Sequence, residues 1–141
     1  MSQREIQQLP VPSITANDCL LFIWVTFPML KPALDTIQCW GFEYKTLGWS
    51  WIKTTKTGKP CFGVGHYTRS NCEVCLIGKK GRPQVTDHGV SSVIIQPREV
   101  HSKKPDIIRE LIVQLCGDQP RIELFARQSV SGWDAWGNEL G

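Results

Sequence analysis

The chain has 141 residues, of which 41% are hydrophobic, 21% charged and 9% aromatic, and a formal net charge of +3. One compact domain of this size buries roughly two-thirds of its unfolded surface, and six Trp with five Phe exclude disorder as its main state. No apolar run reaches the roughly 18–20 residues of a membrane span, and the polar start Met-Ser-Gln-Arg-Glu-Ile6 lacks a secretory signal; the expectation is a cytoplasmic protein with reduced thiols.

In chain order, Cys19-Leu-Leu-Phe-Ile-Trp-Val25 is a continuous apolar run, predicted as a strand buried on both faces. Pro28 and Pro32 open a helical pattern with Leu30, Leu34, Ile37 and Trp40 near one face, ended by Gly41. Phe42 to Lys53 is aromatic and β-branched, a second strand, and Thr54 to Ser70 is a long glycine-containing loop. Cys72 to Ile77 reads as a strand, Gly78 to Pro83 as a turn, and Val93 to Ile95 as a short strand. Pro105 and Asp106 are predicted to start a helix with Ile107, Ile108, Leu111, Ile112 and Leu115 on one stripe and Gly117 as its stop. Arg121 to Arg127 is the last predicted strand. This alternation predicts an α/β fold with a largely parallel sheet.

Such sheets bind ligands outside the carboxyl ends of their strands, which singles out Phe125, Arg127 and the segment 128–132. Gly132-Trp-Asp-Ala-Trp-Gly-Asn138 either joins that site or staples the C-terminal segment to the core through Trp133 and Trp136; both readings hold together. From Lys53 to Arg82, seven Lys/Arg face one acid, Glu73, a local +6 that leaves −3 for the rest of the chain. With Phe62 and Tyr67 interleaved, the stripe is either a nucleic-acid footprint or a solvated basic loop. His101-Ser-Lys-Lys-Pro-Asp106 sets Lys103 and Lys104 before a helix N-terminus, where an anion is favoured.

Other chemistry is poorly supported. Cys72-x-x-Cys75 with Cys61 and His66 offers four zinc ligands, but a strand sends Cys72 and Cys75 to opposite faces. Gly63-Val-Gly65 is too short for a dinucleotide fingerprint, and no Walker sequence is present.

Seven segments, Leu9-Pro-Val-Pro12, Leu21-Phe-Ile-Trp-Val-Thr26, Trp40-Gly-Phe-Glu-Tyr-Lys45, Tyr67-Thr-Arg-Ser-Asn-Cys-Glu73, His101 to Asp106, Arg121-Ile-Glu-Leu-Phe-Ala-Arg127 and Gly132 to Asn138, together resemble the MT-A type adenine N(6)-methyltransferases. The resemblance runs over nearly the whole chain and is to the bacterial and phage branch. It implies a Rossmann-like α/β sheet, S-adenosylmethionine as cofactor, and methyl transfer to the exocyclic amine of adenine in nucleic acid, with DNA ahead of RNA. It implies cofactor contacts from Lys104, Glu123, Phe125, Arg127, Asn138 and Glu139, the last standing where the family often has Gln. It implies a target-base side formed by Tyr67, Arg69 and Asn71, to which Lys56 of the basic stripe is added.

One departure matters most. The family's Asp-Pro-Pro-Trp signature, which precedes the Leu-Pro-Val-Pro segment, is absent, and the chain contains no Pro-Pro dipeptide. In the family the signature's Asp and a proline carbonyl accept hydrogen bonds from the target amine, orienting it for attack, and the neighbouring aromatic residue stacks on the flipped base. The signature strand lies at the sheet centre beside the strand matching Arg121 to Arg127, so its loss would leave two unpaired edges. The expectation is therefore a single domain, residues 1–141, that is the C-terminal part of an N-terminally truncated methyltransferase domain, poorly stable and inactive alone and without catalytic residues of its own. It would work with a catalytic or N-terminal partner chain. The alternative is a non-catalytic, methyltransferase-like nucleic-acid-binding partner subunit; a zinc-stabilised basic module ranks last.

Overall fold

A computed structural model describes residues 1–63, 65, 67–100 and 103–140. His66, His101, Ser102 and Val64 of the Gly63-Val-Gly65 motif lie outside the described residues, and so do the parts of the zinc and anion-site readings that need them.

Helix α1 (Gln3–Gln7) opens the chain. Ser2 accepts from the Glu5 amide while the Glu5 carboxylate accepts from the Ser2 amide, a reciprocal cap. A 3₁₀ turn at Val11–Ile14 leads to β1 (Cys19–Val25). Pro28 sits in a second 3₁₀ turn, Phe27–Met29, and α2 spans Leu30–Cys39. Gly41, at φ 85°, makes the left-handed exit to β2 (Glu43–Thr54). β3 (Glu73–Lys80), β4 (Val93–Pro97), α3 (Ile107–Cys116), β5 (Ile122–Leu124) and β6 (Asp134–Trp136) complete the order.

The main sheet has the order β1-β3-β2-β4. It is mixed rather than largely parallel: β3 runs antiparallel to both β1 and β2, and only β4 is parallel to β2. No helix separates β2 from β3, so nothing forces the crossover that parallel pairing needs. β5 and β6 form a separate parallel pair. The β2–β3 register shifts between Leu47 and Trp49, at Gly48, where a Cβ would come within 2.9 Å of the Ile77 side chain.

The sheet is sandwiched. On one face Val25, Val74 and Leu76 pack with Val11, Ala33, Ile37, Trp40 and Phe42, and the Trp40 indole donates to the Ile6 carbonyl to tie α2 to α1. On the other face Trp49, Trp51, Cys75 and Ile94 pack against Ile108 and the apolar stripe of α3. The period-2 alternation of β3, Val74 and Leu76 one way and Cys75 the other, divides these two cores.

Other boundaries differ from expectation. β1 is found where predicted, but it ends the sheet, and six of its seven residues are only half-buried rather than enclosed on both faces. β3 runs on through Lys80, and the turn falls at Gly81, whose positive φ brings it against Asn17 and Asp18. Pro105 lies outside α3, which starts at Ile107 with Asp106 as its cap residue. The strand predicted from Arg121 to Arg127 stops at Leu124, because Phe125 takes a left-handed φ of 59°. No helix among the described residues is long and apolar enough to cross a membrane.

Candidate functional site

β1, β2 and β4 point the same way, so Val25, Thr54 and Pro97 end them at one rim of the sheet, where antiparallel β3 begins with Glu73. A cleft of about 310 Å³ opens at that rim, with Trp51, Lys53, Glu73, Arg98, Glu99 and Lys103 in its lining. It lies where open α/β sheets place their ligands.

Glu73 is the electrostatic centre of the cleft. Paired directly across from Trp51, it points to the α3 side of the sheet and is only 7% exposed. One carboxylate oxygen meets Lys53 Nζ at 2.7 Å and the other meets Lys104 Nζ at 2.5 Å. Burial opposes its ionisation, but the hydrogen bonds from Lys104 and Lys53, with their charges, outweigh it and hold the carboxyl below the usual glutamate range. Two indoles frame the group: Lys53 stands 5.3 Å from the Trp51 ring centroid, Lys104 stands 5.8 Å from that of Trp24, and the two rings meet edge-on at 6.1 Å. Cys75, two residues along β3, is fully buried and its thiol is pushed up to about 12 by burial, against the pull of Lys104. A thiol held protonated this firmly is no nucleophile.

Asn71 closes the loop that enters β3. Its amide oxygen accepts from the Lys53 amide at 3.0 Å, and its nitrogen donates to the carbonyls of Lys53 and Cys61. Of the residues assigned to the target-base side, Asn71 thus reaches the cleft through Lys53. Tyr67, Arg69 and Lys56 are exposed on the loop, with the Arg69 guanidinium 5.0 Å from the Phe62 ring centroid.

The cofactor assignments divide between two places. Lys104 reaches the cleft through its ion pair with Glu73. Phe125, Arg127, Asn138 and Glu139 gather beyond the ends of β5 and β6. There the Phe125 ring meets Trp136 edge-on at 5.3 Å, the Ala126 amide donates to the Trp136 carbonyl, and Arg127 stands 3.8 Å from Glu139. Phe125 is a non-glycine residue in the left-handed region, a strained position of the kind that gathers at functional sites. Glu123 joins the two places: Arg109 of α3 holds its carboxylate through two hydrogen bonds, at 2.9 and 3.2 Å. Arg109 also pairs with Asp106, and Lys103 pairs with Asp106 and Glu99, so the entry to α3 is laced to both sides.

Glu73, Trp24, Trp51 and Arg109 received no site role from the sequence, and Lys53 only a place in the basic stripe. One signal was present: Glu73 is the single acid in a stretch with seven cations. Among the described residues no three His, Cys, Asp or Glu side chains are grouped to hold a metal ion.

A mixed sheet covered by helices on both faces, with a charged cleft at its carboxyl rim, defines the class: an α/β domain built to hold a ligand beside its strand ends. The chain belongs to the MT-A70 family, whose model matches residues 1–139. It is 41% identical over 140 residues to the type II methyltransferase M.MunI of a Mycoplasma species, covering 97% of this chain and 57% of that protein. It is 34% identical to the N6-methyladenosine RNA methyltransferase MTA1 of Pyricularia oryzae (96% of this chain, 38% of that protein). Identity is 30% to the human N(6)-adenine-specific methyltransferase METTL4 (99% of this chain, 32% of that protein). The chain thus spans little more than half the length of M.MunI and less of the others.

Proposed function

We propose that this chain is the cofactor- and nucleic-acid-binding part of a cytoplasmic adenine N(6)-methyltransferase, Rossmann-like in fold and acting on DNA. The observation that carries the reading is 41% identity to a type II methyltransferase over 97% of the chain. The stronger likeness to the type II methyltransferase than to the RNA methyltransferase of P. oryzae supports reading the substrate as DNA.

The residues present fit S-adenosylmethionine: a lysine at the carboxyl rim, an aromatic ring fixed at the end of β5, and polar side chains beside it. When bound, the cofactor supplies a sulfonium-activated methyl group. Lys104, held in place by Glu73, provides a cation for an anionic cofactor group. Phe125 offers an apolar wall, Asn138 and Glu139 offer an amide and a carboxylate to ribose hydroxyls, and Arg127 and Glu123 frame the pocket. Tyr67, Arg69, Asn71 and Lys56 form the nucleic-acid side, with the exposed Tyr67 ring available to stack on a base.

Orientation of the target amine falls to an Asp-Pro-Pro-Trp segment supplied from outside these 141 residues, whose strand would lie beside β5 and the free edge of β1. The position of β1 at the end of its sheet, apolar and half-buried, supports this. Residues 1–141 are then one domain piece, inactive alone. The test is titration of the chain with S-adenosylmethionine, followed by methyl labelling of adenine-containing DNA with and without the signature segment. Saturable binding lost in Lys104→Ala, with labelling only when the segment is added, is expected. Failure to bind the cofactor at all sinks the reading. A second reading, a non-catalytic nucleic-acid-binding partner, is favoured by the local +6 of the stripe from Lys53 to Arg82 and expects DNA binding without labelling under either condition.

A further inference from the structure

We infer that Arg98, with Lys56 and Lys59, forms a phosphodiester-binding ridge at the mouth of the cleft, across which the backbone of the target strand runs. This rests on the nucleic-acid reading above and names residues to which neither the family resemblance nor the cleft chemistry assigns a phosphate. Among the described residues, Lys53, Lys103 and Arg98 line the cleft and Lys104 and Arg109 pair with acids beside it; all but Arg98 are engaged, Lys53 and Lys104 by Glu73, Lys103 by Glu99 and Asp106, and Arg109 by Asp106 and Glu123. Arg98 lines the same cleft, is exposed, and has no side-chain partner among the described residues. A planar guanidinium left open at the rim of a pocket suits the two oxygens of a phosphodiester.

Its position is fixed by the backbone. Arg98 follows the last residue of β4 and donates its amide to the Thr54 carbonyl at 3.2 Å. The same Thr54 is the last residue of β2, pairs with Pro97 and bridges to Pro60. The turn between them is closed by the Thr55 amide on the Lys59 carbonyl and the Gly58 amide on the Thr55 carbonyl. Lys56 and Lys59 stand exposed on that turn, also without an acidic partner among the described residues. Two segments distant in sequence thus meet at one residue and bring three open cations to one rim, with the neighbouring acids Glu73 and Glu99 already taken by lysines.

The experiment is fluorescence anisotropy of the full chain with a labelled, adenine-containing DNA duplex over a salt series, beside calorimetric titration with S-adenosylmethionine. Each phosphate contact contributes about 0.9 to the slope of log affinity against log salt on duplex DNA. Arg98→Ala is expected to weaken binding on all sequences alike and to lower the slope by about 0.9, and Lys56→Ala with Lys59→Ala by up to about twice that. Arg98→Lys, which keeps the charge, is expected to retain the slope. Circular dichroism should not change, because Arg98, Lys56 and Lys59 are exposed. Wild-type binding whose slope is the same in every variant overturns the ridge and leaves the methyltransferase reading standing. Cofactor binding without DNA binding also overturns the ridge, whereas loss of both in the wild type overturns the reading on which it rests.

Discussion

The two halves of the candidate site are built in opposite ways. The cleft half stands on strands of five to twelve residues, with Trp51 and Glu73 buried under α3 and the lining lysines Lys53 and Lys103 tied to acids. The ribbon half stands on two strands of three residues each, and its aromatic pair is open to solvent, Phe125 at 48% and Trp136 at 41% exposure. Burial therefore holds the charges of one half, while the other presents side chains on a backbone with few neighbours. The lesson is that rigidity and exposure are assigned to different parts of one site: charge is preorganised where the sheet is thick, and contact surface is offered where it is thin.

The largest test of this contrast compares two tryptophans. Trp49→Ala removes a side chain 2% exposed in the α3-side core and should cost about 3–5 kcal/mol in urea unfolding. Trp136→Ala loses an edge-on partner at the surface and should cost no more than about 1.5 kcal/mol. Equal losses would erase the distinction between the halves.

Next in size is the buried carboxylate. Glu73→Ala leaves Lys53 and Lys104 facing one another, and a cost of about 2 kcal/mol is expected, less than for a fully buried pair because the lysines remain 26% and 30% exposed. Glu73→Gln keeps a hydrogen-bond acceptor and should cost less. The same group sets a pH dependence. Its folded-state value lies below the unfolded one, so its contribution is present above about pH 4.3 and is lost as the pH falls through the lowered value. The stability difference between wild type and Glu73→Gln should shrink on acidification through that window. A difference that stays constant to low pH would mean that the carboxylate is not held by its lysines.

The smallest effect concerns backbone strain in the ribbon. Phe125→Ala keeps the left-handed backbone and loses the contact with Trp136, whereas Phe125→Gly loses the same contact and relieves strain of about 1–2 kcal/mol. Glycine should therefore be the more stable of the two substitutions, the reverse of the order in a regular strand. Thermal unfolding decides it, and alanine above glycine would mean that the turn is unstrained.

Much of the fold was legible because its signals are local. The run Cys19 to Val25 became a strand with those bounds, and the stripe Ile107 to Leu115 became the helix covering the second core. Ser2 and Glu5, three residues apart, carry the cap signature in the sequence itself. The errors came where pairing decides. The sheet's mixed sense depends on which strand accepts which, and no residue encodes that choice alone. The strand at Arg121 was shortened by a single dihedral at Phe125.

The site divides along the same line. Sequence by itself determined the family, through short segments in fixed order, while the residues it offers for cofactor and nucleic acid remain part of the proposal. Tertiary structure alone decided which charges are spent. It set Glu73 between lysines 20 residues before it and 31 residues after it in the chain, moved Glu123 into the grip of Arg109, and left Arg98 open beside the end of β2. Ion pairing acts over a few ångströms, and it is the register of β2 on β3 and the packing of α3 against them that brought these groups within that range.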